Sequence, residues 1–282
     1  SGTGSTAGIQ QFTTGKVPFA GSDVTMTPDE QTAANKSCGS TALTIPITSG
    51  GVAIIYNLPG VSNLKLDAPT IAGIFAGKIT KWNDPKIAKI NPGAKLPGLT
   101  ITPVFRSDGS GDTYTFTNYL SKISPAWKNE VGYATTVGFK AGVGAKGNAG
   151  VTATVTKTPG AIGYISASYL IAAGLGAAAV QNKAGNYELP NLKNIESAAS
   201  VVQSVPSSNE INITNPPKKA TTAYPISTFT YAIVPHNAAQ KGFVQQFLTY
   251  AVTKGQVYGA ALDFAPLPKV VLSAAKSSIA SL

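Results

Sequence analysis

The 282-residue chain carries 22 Lys and Arg against 12 Asp and Glu, a formal charge of +10, yet only 12% of its residues are charged and 43% are hydrophobic. That describes a globular chain long enough for two lobes with separate cores, with a quiet, hydroxyl-rich surface that attracts anions broadly. The basic residues are scattered, Lys218-Lys219 being the only adjacent pair, which argues against a nucleic-acid surface. A single cysteine, Cys38, excludes an intrachain disulfide or thiolate metal cluster and leaves its own partner open; a single histidine, His236, excludes a His-based zinc site. No metal or cofactor is expected. No apolar run approaches the roughly 20 residues of a membrane span, and the chain opens without the basic region and apolar core of a signal peptide. It reads as a mature or trimmed soluble part.

In chain order, Ser1 to Gly8 is a Gly/Ser-rich turn running into Ile9-Gln10-Gln11-Phe12, either an anion cradle at a helix start or a frayed terminus. Val17 to Asp23 reads as a short strand with a polar tip. It places Asp23 at a strand's carboxyl end, the edge where open α/β sheets hold ligands. Thr27-Pro28-Asp29-Glu30 opens a helix. Ala42–Ile47 and Gly51–Tyr56 are β-branched runs split by Thr48-Ser49-Gly50, suggesting strands that continue from one lobe into the next. Helical patterns follow at Ala68–Ala76, Thr113–Ile123 and Ile195–Val205, with strands at Leu99–Phe105 and Ala161–Ile165. Gly142 to Asn148 and Ser208 to Lys219 read as loops, the second exposed. Tyr224–Val234 is a strand, and helices are expected at Phe243–Val252 and Val270–Ile279. The lobes are expected at 1–46 with 226–282, discontinuous, and at 47–225, continuous.

The chemistry concentrates at Phe105-Arg106-Ser107-Asp108-Gly109-Ser110-Gly111-Asp112-Thr113, a strand, tight turn and helix start. The first amides of a helix lack partners within it, so this turn collects donors, and Arg106 adds a guanidinium fork. Such a segment can hold a small oxyanion, or it can be an ordinary Ser/Asp-capped helix. An enzyme built on Ser110 as nucleophile lacks support: no lysine is adjacent, and His236, at the end of a strand pattern, reads as a surface histidine.

The succession Gly4-Ser5-Thr6-Ala7-Gly8, Phe19-Ala20-Gly21-Ser22-Asp23, Tyr56-Asn57-Leu58-Pro59-Gly60, Gly77 to Asp84, Arg106 to Gly111, Lys146-Gly147-Asn148, Pro159 to Tyr164 and Tyr224-Pro225-Ile226 resembles the phosphate-binding proteins of bacterial phosphate ABC transporters, the PstS type. The match covers nearly the whole chain. It implies a type II periplasmic-binding-protein fold, two α/β lobes joined by two crossing strands and closing on one inorganic phosphate. It also implies a monomer that serves a membrane permease from the periplasm or tethered at the outer face of the membrane, and that is not an enzyme. The alternative within the family is a surface protein used as sensor or adhesin.

Carried over residue by residue, the resemblance assigns Ser5 as a phosphate-contacting hydroxyl and Asp23 as the acceptor carboxylate. Arg106 is the guanidinium, Asp108 the carboxylate that orients it, and Ser110 and Gly111 the helix-start donors. Where the family often has Thr, this chain has Asp112, followed by Thr113. Asp112 either points into the cleft as a second acceptor or pairs with a cation while Thr113 supplies the hydroxyl. The family's first strand and helix have no counterpart before the first Gly/Ser turn: either they belong to a longer protein, the expectation preferred here, or the chain is a true truncation that binds poorly. Asp23 implies selectivity, because phosphate at neutral pH keeps a proton to donate to it and sulfate has none.

Overall fold

The structure, a computed structural model, describes residues 3–282. From the first Gly/Ser turn the chain enters α1 (Ser5–Thr13), β1 (Ala20–Ser22) and α2 (Pro28–Cys38). The last of these starts on a complete capping box: the Thr27 side chain accepts from the Glu30 amide, and the Glu30 carboxylate accepts from the Thr27 amide. β2 (Ala42–Tyr56) is one unbroken strand of 15 residues, so Thr48-Ser49-Gly50 does not divide it; the irregularity is a bulge between Pro46 and Thr48. After it come β3 (Lys65–Leu66), α3 (Ala68–Phe75), α4 (Pro85–Ile90), β4 (Thr102–Arg106), α5 (Gly111–Ile123), α6 (Pro125–Glu130), β5 (Val143–Ala145), α7 (Gly147–Lys157) and β6 (Ala161–Ser166). The chain then forms α8 (Ser168–Ala173), β7 (Ala179–Gln181), β8 (Tyr187–Glu188), α9 (Leu192–Ala199), β9 (Ser227–Pro235), α10 (Lys241–Val252), α11 (Gln256–Gly259) and α12 (Lys269–Ser281).

The main sheet runs β1-β9-β2-β6-β4-β5, and β2 is its spine. Ala42 to Gly51 pair antiparallel with β9, and Val52 to Tyr56 pair antiparallel with β6. The strand thus leaves one partner and takes up another midway along its length. Its far half packs into a core with Phe75, Trp82, Phe116 and Tyr164, while its near half faces cores built on Ile9 and Phe12 and on Phe229, Leu248 and Val271. Separate cores on the two halves of one strand make two lobes. The chain through Pro225 returns beside β2, with the Val52 amide donating to Ile226 O and the Tyr224 hydroxyl to Val52 O.

Three expectations need correction. The segment from Gly142 to Asn148 is not loop throughout: Val143–Ala145 pairs parallel with Val104–Arg106, and Gly147 opens a helix. A Cβ on Gly142 would stand 2.8 Å from Pro103 C, so the glycine lets β5 come alongside β4. The expected helix from Ile195 to Val205 instead spans Leu192–Ala199, starting early because the Asn191 side chain caps it by accepting from the Asn194 amide. Within Ser208 to Lys219, Asn209, Ile213 and Thr214 are buried, and Asn209 Nδ2 donates to Thr44 O and Ser278 Oγ. That segment is irregular but anchored, a distinction residue type alone does not carry.

Candidate functional site

Three helix starts from distant parts of the chain meet at one cavity of about 520 Å³: Gly4 and Ser5 of α1, Ser110 to Asp112 of α5, and Asn148 of α7, with Asp23, Arg106 and Thr230 completing the inner wall. Val17 to Phe19, Gln11 and Tyr169 are also among its lining residues. His236 is exposed at the end of β9 and is not on this wall, and Cys38 is half-buried at the end of α2, beside the Phe12 core.

Arg106, at the last position of β4, has a side chain only 4% exposed and is held by carboxylates on two sides. Its Nε and Nη2 donate to the two oxygens of Asp108, with Nε at 2.8 Å, and its Nη1 donates to Asp112 Oδ2 at 2.8 Å. A second Nη1 contact, to Asn148 Oδ1, is long at 3.4 Å, so the hydrogens left for a ligand are one on Nη2 and the weakly held one on Nη1. Asp108 also accepts the Gly147 amide at 2.8 Å. Partial burial opposes ionisation of Asp108, but these hydrogen bonds and the guanidinium charge overcome it and hold the carboxyl below its usual range.

The serines are used twice. Ser5 Oγ accepts the Asp23 amide at 3.1 Å, and Ser110 Oγ accepts the Asp112 amide at 3.1 Å as the N-cap of α5. Each hydroxyl therefore has its lone pair engaged by protein and its proton unspent among the described residues. Ser110 thus caps α5 and also lines the cavity. With Asp112 capped, the amides of Gly111 and Thr113 remain from the first turn of α5.

Opposite these donors stand acceptors. Asp23 follows β1; its Oδ1 accepts the Thr230 hydroxyl at 2.6 Å, leaving Oδ2 without a hydrogen-bond partner among the described residues. Desolvation raises its carboxyl above the usual value, against the Thr230 hydrogen bond and the Arg106 charge. Asp112 both lines the cavity and pairs with Arg106. Burial, and then the charge of Asp23, push its carboxyl up to about 6. The Thr113 side chain does not reach the cavity: its hydroxyl is 2.8 Å from that of Tyr164, which also accepts the Arg106 amide at 3.1 Å.

A Cβ on Gly111 would sit 2.6 Å from Asp23 Cβ and 2.7 Å from Ser5 Oγ. Only glycine lets the α5 turn come this near the Asp23 wall. Sequence reasoning missed Thr230 and Asn148. Asn148 stands in the Lys146-Gly147-Asn148 motif, where a helix start was the available signal; Thr230 alternates with Thr228 along β9 and carried none. The result is a cavity lined by hydroxyl, amide and guanidinium donors with a free carboxylate oxygen among them, the donor-acceptor pattern of an oxyanion that keeps a proton.

A family model described as a PBP superfamily domain matches residues 1–254. The chain is 37% identical over 275 residues to the phosphate-binding protein PstS of Pasteurella multocida, covering 95% of this chain and 78% of that one. The chain belongs to the PstS-type phosphate-binding protein family. A second member, phosphate-binding protein PstS 3 of Mycobacterium tuberculosis, is 38% identical over 98% of this chain and 77% of its own length. Among solved structures, a high-affinity periplasmic phosphate-binding protein (PfluDING) bound with phosphate at pH 8.5 superposes with a TM-score of 0.83 at 22% identity, covering 98% of this chain and 85% of that one. That likeness is one of fold alone.

Proposed function

We propose that this protein captures inorganic phosphate between its lobes, outside the cytoplasm, and delivers it to the membrane permease of an ABC importer, binding without turnover and as a monomer. The observation that carries the reading is the mixed inner wall: serine hydroxyl protons, free amides and Arg106 hydrogens face the same space as the unpartnered Asp23 Oδ2. Ser5, Asp23, Arg106, Ser110, Gly111 and Asp112 are the ligands, with Thr113 contributing through its backbone amide and Asp108 holding Arg106. The lobes are taken as 1–46 with 226–282, and 47–225, so that Ser5 and Asp23 lie on one lobe and Arg106 to Thr113 on the other. A ligand touching both draws them together.

Phosphate donates its proton to Asp23, whereas sulfate would oppose that carboxylate with an unprotonated oxygen in a desolvated cleft, leaving charged acceptors unpaired. No described helix is long and apolar enough to cross a membrane, which fits a protein that works beside a permease. Titration calorimetry of the full-length protein tests the reading: one phosphate per chain and no heat from sulfate at equal concentration is expected, and equal affinities would refute it. Use as a sensor or adhesin is separated from transport by phosphate uptake in cells that lack the protein.

A further inference from the structure

Beside the ligand donors, the turn ahead of α5 touches the first turn of α1 along a seam where Gly109 meets Thr6. Neither residue lines the cavity. A Cβ on Gly109 would lie 2.5 Å from Thr6 Cβ and 3.0 Å from its Cγ2, with Oγ1 also against it. Carbon atoms settle at about 3.5–4.0 Å. The φ of Gly109 is not in the left-handed region, so the turn's conformation does not call for glycine; the approach does. On the same seam the Gly4 Cα faces the Gly109 carbonyl.

Thr6 bears the consequence. The residue as a whole is only half-buried, yet its hydroxyl oxygen is sealed and has no hydrogen-bond partner among the described residues. Its neighbour Ser5 and the facing Ser110 both have partners. A hydroxyl stripped of water without a partner opposes whatever strips it, and here the Gly109 backbone lies against it.

We propose that the Thr6–Gly109 seam sets how readily the two lobes close. Gly109 admits the contact, and the Thr6 hydroxyl, hydrated when the seam parts and stranded when it shuts, resists it. Closure then waits for ligand contacts to offset that resistance, and parting of the seam is helped by the same hydroxyl. Thr6 and Gly109 are thus positioning residues that act on affinity through the lobe equilibrium. The link to phosphate rests on the function proposed above; the effect on lobe motion in ligand-free protein does not.

The test uses the full-length protein in a Cys38→Ser background, spin-labelled at Lys36→Cys on α2 and Lys128→Cys on α6, both exposed positions. Electron–electron double resonance gives the inter-lobe distance distribution, and calorimetry gives the phosphate dissociation constant. Thr6→Val keeps the shape and removes the hydroxyl: the ligand-free distribution should shift towards closed and phosphate should bind about tenfold tighter. Gly109→Ala should shift the distribution towards open and weaken binding at least tenfold at unchanged Tm, and adding Thr6→Gly, which removes the opposing Cβ, should restore most of that loss. Wild-type distributions and affinities in both single variants would overturn the proposal. So would a Gly109→Ala defect that Thr6→Gly does not recover. If wild-type protein shows no heat with phosphate while the variants still shift the ligand-free distribution, the phosphate reading falls and the seam stands.

Discussion

Two Gly/Ser turns face each other across the cavity, and they solve the same problem differently. The turn before α1 is neutral: Gly4 occupies its N-cap with no side-chain cap, and its first turn holds no acidic residue. The turn before α5 is crowded with charge, with Ser110 capping Asp112, Asp112 on Arg106, and Arg106 on Asp108. Both present unpaired amides, but only the second fixes a buried cation, and that cation is surrounded by more negative charge than it carries. The neutral turn can approach the charged one closely because glycines stand at the contact. In the function proposed above, the charged turn supplies strength, and the neutral turn with Asp23 supplies discrimination.

The sharpest way to break this division is Arg106→Lys. An ammonium keeps the charge but cannot reproduce a planar fork held by Asp108 while still reaching Asp112. With two or more charge-assisted hydrogen bonds lost, phosphate affinity is expected to fall about 100-fold or more by calorimetry; a fall under tenfold would mean that charge alone matters. Next come the paired serines. Ser5→Ala and Ser110→Ala should each weaken phosphate about tenfold, but only Ser110→Ala also removes a helix cap worth about 1 kcal/mol. Its Tm should therefore drop by about 2–4 °C, and that of Ser5→Ala by less.

A smaller effect separates the two carboxylates. The carboxyl of Asp112 lies at about 6 in the folded protein, above its ordinary value, so the native state holds this proton more tightly than the unfolded chain. Stability from this group is present below about pH 4, where both states are protonated, and is lost as pH rises through 6. Asp112→Asn lacks that loss, so its Tm relative to wild type should rise between pH 4 and pH 7. Phosphate affinity of the wild type should climb as pH falls from 8 to 6, and Asp112→Asn should show a flatter profile; identical profiles would remove Asp112 from the site's response to protons. Smallest of all, Thr113→Val should leave affinity within about twofold, because that hydroxyl faces Tyr164 and not the cavity. It should lower stability by about 1 kcal/mol, the scale of one hydrogen bond.

Local chemistry was readable because it is local. The capping box at Thr27 and Glu30, the donor turn at Ser110, the placement of Asp23 just past a short strand and the β-branched run of β2 all follow from residues within a few positions of one another. The sequence by itself determined the helix starts at Thr27 and Ser110, the short strand before Asp23 and, through several ordered motifs, the family. It left the strand in Val143–Ala145 unseen, because three residues with a glycine in the middle carry no periodic signal and their pairing is with β4, some 40 positions away. Only the tertiary structure decided that Thr230 occupies Asp23 Oδ1, that Asp112 lines the cavity and grips Arg106 at once, and that the Thr6 hydroxyl is buried beside Gly109. These contacts join residues six, about a hundred or about two hundred positions apart, and whether an oxygen there faces a donor, a backbone or water depends on how the chain packs around it, which no neighbouring residue encodes.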